Sequence, residues 1–215
     1  MSKMIEIRKE EEKDYKRVEE VTRKAFWNLY VPGCIEHYLV HVMRFHEDFI
    51  PELDLVLELD GQVVGNIMYT KAKLVDETGK VKPILTFGPV SILPEYQRMG
   101  FGKMLMERSF EIAVELGYDV IVIFGSPKNY VSRGFKSCKR YNICLEEDVF
   151  PSAMMVKLLQ SEALDGRKWV YYDSPVMKVD LQEAEQYDNG LEPMEKKEAP
   201  SQEEFYIHSH SVMGI

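Results

Sequence analysis

Ser91-Ile92-Leu93-Pro94-Glu95-Tyr96-Gln97-Arg98-Met99-Gly100-Phe101-Gly102-Lys103 is the stretch on which the reading of this chain turns. An apolar run stops at Pro94, which cannot donate to a strand ladder. From Gly100 the apolar period becomes helical: Phe101, Leu105, Ile112 and Leu116 fall on one face, and Gly117 suits a C-terminal cap. The segment is therefore a strand, a short loop and the first turn of a long helix. Such a turn leaves backbone N–H groups unpaired and carries partial positive charge, and a bound anion satisfies both. Gly100 and Gly102 remove side chains where a phosphate would approach the backbone, and Arg98 and Lys103 add charge. Two familiar phosphate patterns fail. The third glycine of the dinucleotide fingerprint would fall on Leu105, and the nucleoside triphosphate loop needs Ser or Thr where Met104 follows Lys103.

Working outward, Tyr118 to Phe124 is a nearly continuous apolar run, as in a buried strand, so strand, helix and strand make a βαβ-like core. Upstream, Pro83 to Ile92 reads as a strand interrupted at Gly88-Pro89, which predicts a bulge or a splayed edge. Ile5-Glu6-Ile7 predicts a first strand. Glu10 to Phe26 predicts a helix with Tyr15, Val18, Val21 and Ala25 inward, and Ile35 to Phe45 a second with Ile35, Leu39, Val42 and Met43 inward. Leu53 to Tyr69 holds two strands around Asp60-Gly61, a hairpin turn. Pro127 to Arg133 has room only for a short helix. Phe135 to Leu145 and Ala153 to Leu159 predict an antiparallel hairpin. The fold class is mixed α/β. Residues 1–159 are expected to form the main domain. Residues 160–215 are expected to form an acidic, partly irregular and partly mobile extension, with one strand-like piece at Trp169-Val170-Tyr171-Tyr172.

Composition narrows the function. With 45% hydrophobic and 29% charged residues the chain reads as a soluble globular protein able to bury its own core. The net charge of −9 lies entirely beyond Leu145, where 15 acidic residues face 6 basic ones, so residues 1–145 are neutral and a nucleic-acid partner is not expected. The acidic third either attracts a cationic amine or keeps a surface solvated. Cys34, Cys138 and Cys144 suit neither a disulfide framework nor a zinc site. No apolar run is long enough to span a bilayer, and Met1-Ser2-Lys3-Met4-Ile5-Glu6 does not read as a signal peptide, so a reducing cytoplasm is the expected setting.

With Gln97, Gly100 and Gly102 in place, the chain resembles the general N-acetyltransferase (GNAT) superfamily, whose hallmark is Gln/Arg-x-x-Gly-x-Gly/Ala. Gly88-Pro89-Val90 and Gly134-Phe135 resemble its YhbS-like bacterial acetyltransferases. The resemblance runs from Ile5 to about Leu159. It implies a mostly antiparallel mixed sheet, flanked by helices, with a V splayed between two parallel strands. The pantetheine arm of acetyl-coenzyme A, the implied cosubstrate, would pair with Val90, Ser91 and Ile92. Its pyrophosphate would lie on Gln97, Arg98, Met99, Gly100, Phe101, Gly102 and Lys103, with no metal needed. A homodimer, common in the family, is compatible with a free sheet edge and the tail.

Acyl transfer to an amine needs a neutral amine, a polarised carbonyl and a leaving thiolate that is stabilised or protonated. The resemblance points to Tyr130, four residues before Gly134-Phe135, as the acid; a tyrosine with a pKa near ~10 keeps its proton at neutral pH. The alternative is a packed ring on a short helix. No base is evident: the interrupted strand offers Thr86 and no carboxylate, and Ser91 would at most position the thioester or a water. Glu36, His37 and His41 are the polar residues expected to face the acceptor, a small-molecule or peptide amine. His37 and His41 have metal-ligand spacing, but Tyr38 stands where the metalloprotease pattern needs Glu, and no third ligand is evident, so no metal is expected. His208 and His210 read as tail residues. An enzyme transferring an acetyl group is the leading reading, and a non-catalytic acyl-coenzyme A sensor on the same fold is the alternative.

Overall fold

The computed structural model of the protein describes residues 4–214, so the first three residues of the N-terminal segment lie outside it. One sheet organises the chain. Strands β1 (Ile5–Lys9), β2 (Leu55–Leu59), β3 (Gln62–Asp76) and β4 (Val81–Ile92) form an antiparallel meander. The β2–β3 turn is the expected one, with Asp60 and Gly61 both at positive φ (52° and 81°). Beyond it β3 runs past Tyr69 to Asp76, further than its sequence pattern suggests. Its far end also pairs with β9 (Trp169–Tyr172).

The helices α1 (Tyr15–Phe26) and α3 (Phe101–Glu115) lie on opposite faces of this sheet. Successive residues of a strand point to opposite sides. On β3 the Tyr69 hydroxyl meets Ser109 Oγ of α3 at 2.7 Å, whereas Asn66 Oδ1 accepts from Thr22 Oγ1 of α1 at 3.2 Å. On α3 the buried face is Phe101, Leu105, Met106, Phe110 and Ala113. Leu116, expected inward, is 41% exposed and lies just past the end of the helix at Glu115. Gly117 caps it at φ +87°. The short α2 (Glu36–Met43) buries His37, Leu39, Val40 and Met43, so its inward face is turned from the expected one and leaves Ile35 and Val42 half-buried. Arg44 at its end is buried, bonded to Glu10 (2.6 Å) and Glu19 (2.8 Å), which locks α2 onto α1 and the start of the chain.

Strand β5 (Val120–Phe124) pairs with β4 in parallel and with β8 (Met154–Leu158) antiparallel. Its side chains alternate between two apolar clusters, Ile121 and Ile123 in one, Val120 and Val122 in the other. The predicted hairpin of residues 135–145 with 153–159 is only partly present. β6 (Lys136–Ser137) does pair antiparallel with β8, but a 3-10 turn over Cys138–Tyr141 breaks the first strand. Asn142 at φ +55° then redirects the chain, so that β7 (Ile143–Cys144) pairs in parallel with β9 instead. The main partner of β8 is β5.

The extension is more ordered than its composition suggests. Trp169 and Tyr171 of β9 enter the second apolar cluster. Helices α5 (Leu181–Asn189) and α6 (Pro200–His210) follow, with no regular element over residues 191–199. Asp180 caps α5 by accepting from Gln182 and Glu183. The arm is then tied down by polar contacts rather than apolar burial: Asp188 to Arg23 (2.8 Å), Tyr187 to Glu19 (2.6 Å), and the Glu195 carbonyl to Trp27 (2.9 Å). No helix among the described residues is long and apolar enough to cross a membrane.

Candidate active site

The feature that opens a site is the parting of β4 and β5. Leu85 pairs with Ile121, and past that point no pair joins them among the described residues. β4 continues along β3 to Ile92, while β5 continues along β8 to Phe124. The register of β4 shifts at the cis Gly88–Pro89 peptide, where Val90 pairs with Ile67 but Phe87 with Tyr69, so the interruption is a bulge. From the bulge to Ile92 one edge of β4 is paired and the other is open. A cavity of about 770 Å³ lies there, lined by both strands, the ends of α1 and α2, the turn before α3 and the α4 segment (Pro127–Tyr130).

At one end of the cavity sits the quoted turn. Gly100 is the N-cap of α3 at φ +91°, a conformation open to glycine, and Arg98 is also left-handed (φ +62°). The first helical bond runs from Met104 N–H to the Gly100 carbonyl. None of the N–H groups of residues 98–103 donates to another described residue, so the loop presents a run of unpaired donors at the positive end of a 15-residue helix. A Cβ on Gly102 would meet only Ile92 Cγ1 at 3.8 Å, so the protein has room for a side chain that the sequence withholds. Gln97 closes the loop from behind, its Nε2 donating to the Ile92 carbonyl at 3.0 Å. An anion with several acceptor oxygens fits this cradle.

Of the residues singled out in the sequence, Val90, Ile92, Gln97, Arg98, Gly100, Gly102, Lys103 and Tyr130 line the cavity. The side chains of three others do not. Ser91 is fully buried and donates to Thr22 Oγ1 at 3.0 Å, beneath α1, which leaves its hydroxyl unable to position a ligand. Met99 points outward at 61% exposure, and Phe101 packs inward beside the Tyr96 ring.

Tyr130 stands within the V. Its ring lies 5.9 Å from Phe87 and 5.7 Å from Phe135, and it rests on Gly125, where a Cβ would come within 2.5 Å of the ring. The missing side chain of Gly125, which the sequence did not flag, is what admits the tyrosine. Its hydroxyl bonds to no other described residue, and burial pushes its pKa above the usual tyrosine value.

The three polar residues of α2 separate. Glu36 lines the cavity, its Oε2 accepting from the Ile35 N–H at 3.0 Å, and burial pushes its pKa up. His37 is fully buried away from it, with Nδ1 3.3 Å from Cys34 Sγ and Nε2 3.2 Å from Asp188 Oδ1 but out of line for a hydrogen bond there. Burial drives its pKa down to about 4, so the ring is neutral. His41 contacts Glu19 (3.0 Å), and its ring lies 4.6 Å from that of Tyr187. Both histidines therefore serve the junction with the arm. The sequence reading also missed the arm's share of the site. Asp173 and Met177 line the cavity, Phe205 stacks on the cavity residue Tyr30 at 4.4 Å, and His208 Nε2 lies 3.2 Å from the Gly125 carbonyl.

Comparison with known proteins agrees with this geometry. The pattern of the acetyltransferase (GNAT) family matches residues 23–136, more than half of the chain. Over 101 residues the chain is 30% identical to the uncharacterized N-acetyltransferase YjhQ of Escherichia coli K12, a match covering 46% of this chain and 55% of YjhQ, little more than half of that relative's length. Over 132 residues it is 29% identical to the uncharacterized N-acetyltransferase YhbS of the same organism, covering 61% of this chain and 76% of YhbS. In three dimensions it superposes on the crystal structure of E. coli YhbS in complex with CoA with a TM-score of 0.71, at 22% identity, over 83% of this chain and 94% of that one. A GNAT family acetyltransferase from Brucella melitensis, crystallised with acetyl-CoA, gives 0.64 at 23% identity over 81% and 99%.

Proposed function

The chain belongs to the acetyltransferase (GNAT) family, and from that premise we propose that it transfers an acetyl group from acetyl-coenzyme A to a primary amine of a small molecule or peptide, by direct attack within a ternary complex. The observation that carries this reading is the coincidence of three features in one cavity: an open edge of β4, a run of unpaired N–H donors over residues 98–103, and Tyr130. Acetyl-coenzyme A bound there would supply the acetyl group as a thioester. The backbone of Val90 to Ile92 would hold its pantetheine arm as an added strand, and the N–H groups from Arg98 to Lys103 its pyrophosphate, with the Arg98 and Lys103 cations adding charge. Tyr130 would hold its proton at Oη and pass it to the departing sulfur. Phe87 and Phe135 pack against its ring and hold it in the V.

A non-catalytic acyl-coenzyme A sensor would use the same cradle but would need no unpaired hydroxyl in the V, so Tyr130 favours the enzyme. Turnover decides between them. Mixing the protein with acetyl-coenzyme A and a panel of primary amines should release free thiol and form the matching acetamide, both read by mass spectrometry. Binding of acetyl-coenzyme A without either product across the panel would leave the sensor.

The role given to Tyr130 makes a second prediction. Gly125→Ala places a methyl inside the present position of its ring, which must move. The expected result is a fall in kcat of about 10²-fold, close to that of deleting the hydroxyl, with acetyl-coenzyme A affinity within a few-fold of native. Combined with Tyr130→Phe the losses should not add, because both act through one group. Additive losses in the double variant would assign Gly125 a separate role.

A further inference from the structure

Two carboxyls line the cavity without an ion-pair partner among the described residues. Elsewhere, sheltered carboxylates are matched: Asp14 and Glu58 by Arg8, Glu10 and Glu19 by Arg44, Asp188 by Arg23, Asp76 by Arg167. Asp54, buried beside Glu10, is pushed up to about 9 by burial and stays a neutral acid. Glu36 and Asp173 are not matched by a cation in this way. Both line the cavity, and neither has an ion-pair partner among the described residues. Asp173 Oδ1 accepts from the Ser174 N–H at 2.8 Å, and Lys178, which acts on it electrostatically, stands beyond ion-pair distance. Burial raises the pKa of both carboxyls. Beside Asp173 and Thr86 lies the Tyr171 hydroxyl, on a residue only 4% exposed and without an aligned hydrogen-bond partner among the described residues.

The two carboxyls belong to one neighbourhood. The turn that follows Asp173, residues 175–177, packs against α2, which Glu36 opens. Glu36, Tyr30 and Tyr130 line the same cavity. The wall between them is apolar: Phe26, Leu29, Leu39 and Met177. A desolvated carboxylate without a counter-ion is costly, and a cation brought in by a ligand removes that cost.

Building on the acyltransferase reading, we propose that Glu36 and Asp173 form the acceptor's ammonium site, and that the acceptor is a primary alkylammonium with an apolar body and no carboxylate beside its nitrogen. The amine arrives protonated. Glu36 takes one ammonium proton at a carboxyl oxygen and later releases it to solvent; the N–H bond pair becomes the nitrogen lone pair that attacks the thioester carbon, the C–S bond breaks with the Tyr130 proton going to sulfur, and the second proton shed by the acylated nitrogen restores Tyr130. A carboxyl held above its usual pKa is the better matched acceptor for this step. Asp173 keeps the cation in place. An α-amino acid would bring a second anion against both groups and is excluded.

Pentylamine and norleucine test this directly, because they differ only by the carboxylate on the carbon that bears nitrogen. Calorimetry on the full chain saturated with coenzyme A should show pentylamine binding at least tenfold tighter than norleucine. Glu36→Gln and Asp173→Asn should each weaken pentylamine tenfold or more. Both should leave acetyl-coenzyme A affinity within twofold, which also shows that the variants fold. In turnover, Glu36→Gln should lower kcat as well, whereas Asp173→Asn should act mainly on KM. Norleucine binding as tightly as pentylamine, native-like pentylamine affinity in both variants, or no pentylamine binding by native protein that does bind acetyl-coenzyme A would each overturn the ammonium site alone. Failure of the native protein to bind acetyl-coenzyme A would instead overturn the acyltransferase reading beneath it.

Discussion

Tyr130→Phe should lower kcat by about 10²-fold or more, the range for loss of a positioned acid, while acetyl-coenzyme A binds as before. The separation follows from how the side chain is held. The ring is fixed by Gly125, Phe87 and Phe135, and a phenylalanine keeps all three contacts. The hydroxyl has no bond to another described residue, so its removal leaves no orphaned donor or acceptor and little change in stability. Only the proton is lost. The pH dependence follows from the same burial, which raises the pKa of this tyrosine. The acid form then persists across about pH 7 to 10, and kcat of the native protein should show no decline over that span from loss of this proton. A steady fall in kcat through that range in the native protein, absent from the phenylalanine variant, would show instead a tyrosine that titrates early. Native-like kcat in Tyr130→Phe would remove it from the chemistry.

Much of the fold was legible in local pattern. Asp60-Gly61 specified a hairpin, Gly88-Pro89 a bulge, and Gly100-Phe101-Gly102 a helix start with free donors, because each depends on backbone chemistry within a few residues. Tyr130 was singled out by the family resemblance, which places a tyrosine four residues before Gly134-Phe135, and its side chain lines the cavity. The errors share a cause. His37 and His41 lie on a helix of eight residues, too short for its apolar period to fix which side turns inward. Their true partners, Asp188 and Glu19, are chosen by tertiary packing, and Asp188 arrives with an arm some 150 residues later. That arm looked irregular because it buries few apolar residues; it is ordered by hydrogen bonds and ion pairs to α1 and the following loop, which leave no periodic trace. Asp173, Met177 and Phe205 were invisible as site residues for the same reason. Gly125 was missed because what it makes room for is a ring five residues on, a contact that no turn pattern encodes.

If the turn from Gln97 to Lys103 is an anion cradle for the cofactor, Gly102→Glu is the variant that isolates it. Gly100 is the less suitable position, since its φ of +91° strains any side chain whatever the space. At Gly102 the backbone is ordinary and a Cβ meets only Ile92 Cγ1 at 3.8 Å, so glutamate enters without moving the loop. A carboxylate in the first turn also suits the helix. Its charge, however, occupies the donors that the pyrophosphate would use. Calorimetric titration of acetyl-coenzyme A into the native chain and into Gly102→Glu is therefore the most direct measurement. Binding by the native chain and affinity at least about 100-fold weaker in the variant, roughly 2.7 kcal/mol, is the predicted result. Equal affinity in the two proteins, or no binding by the native chain, would contradict it.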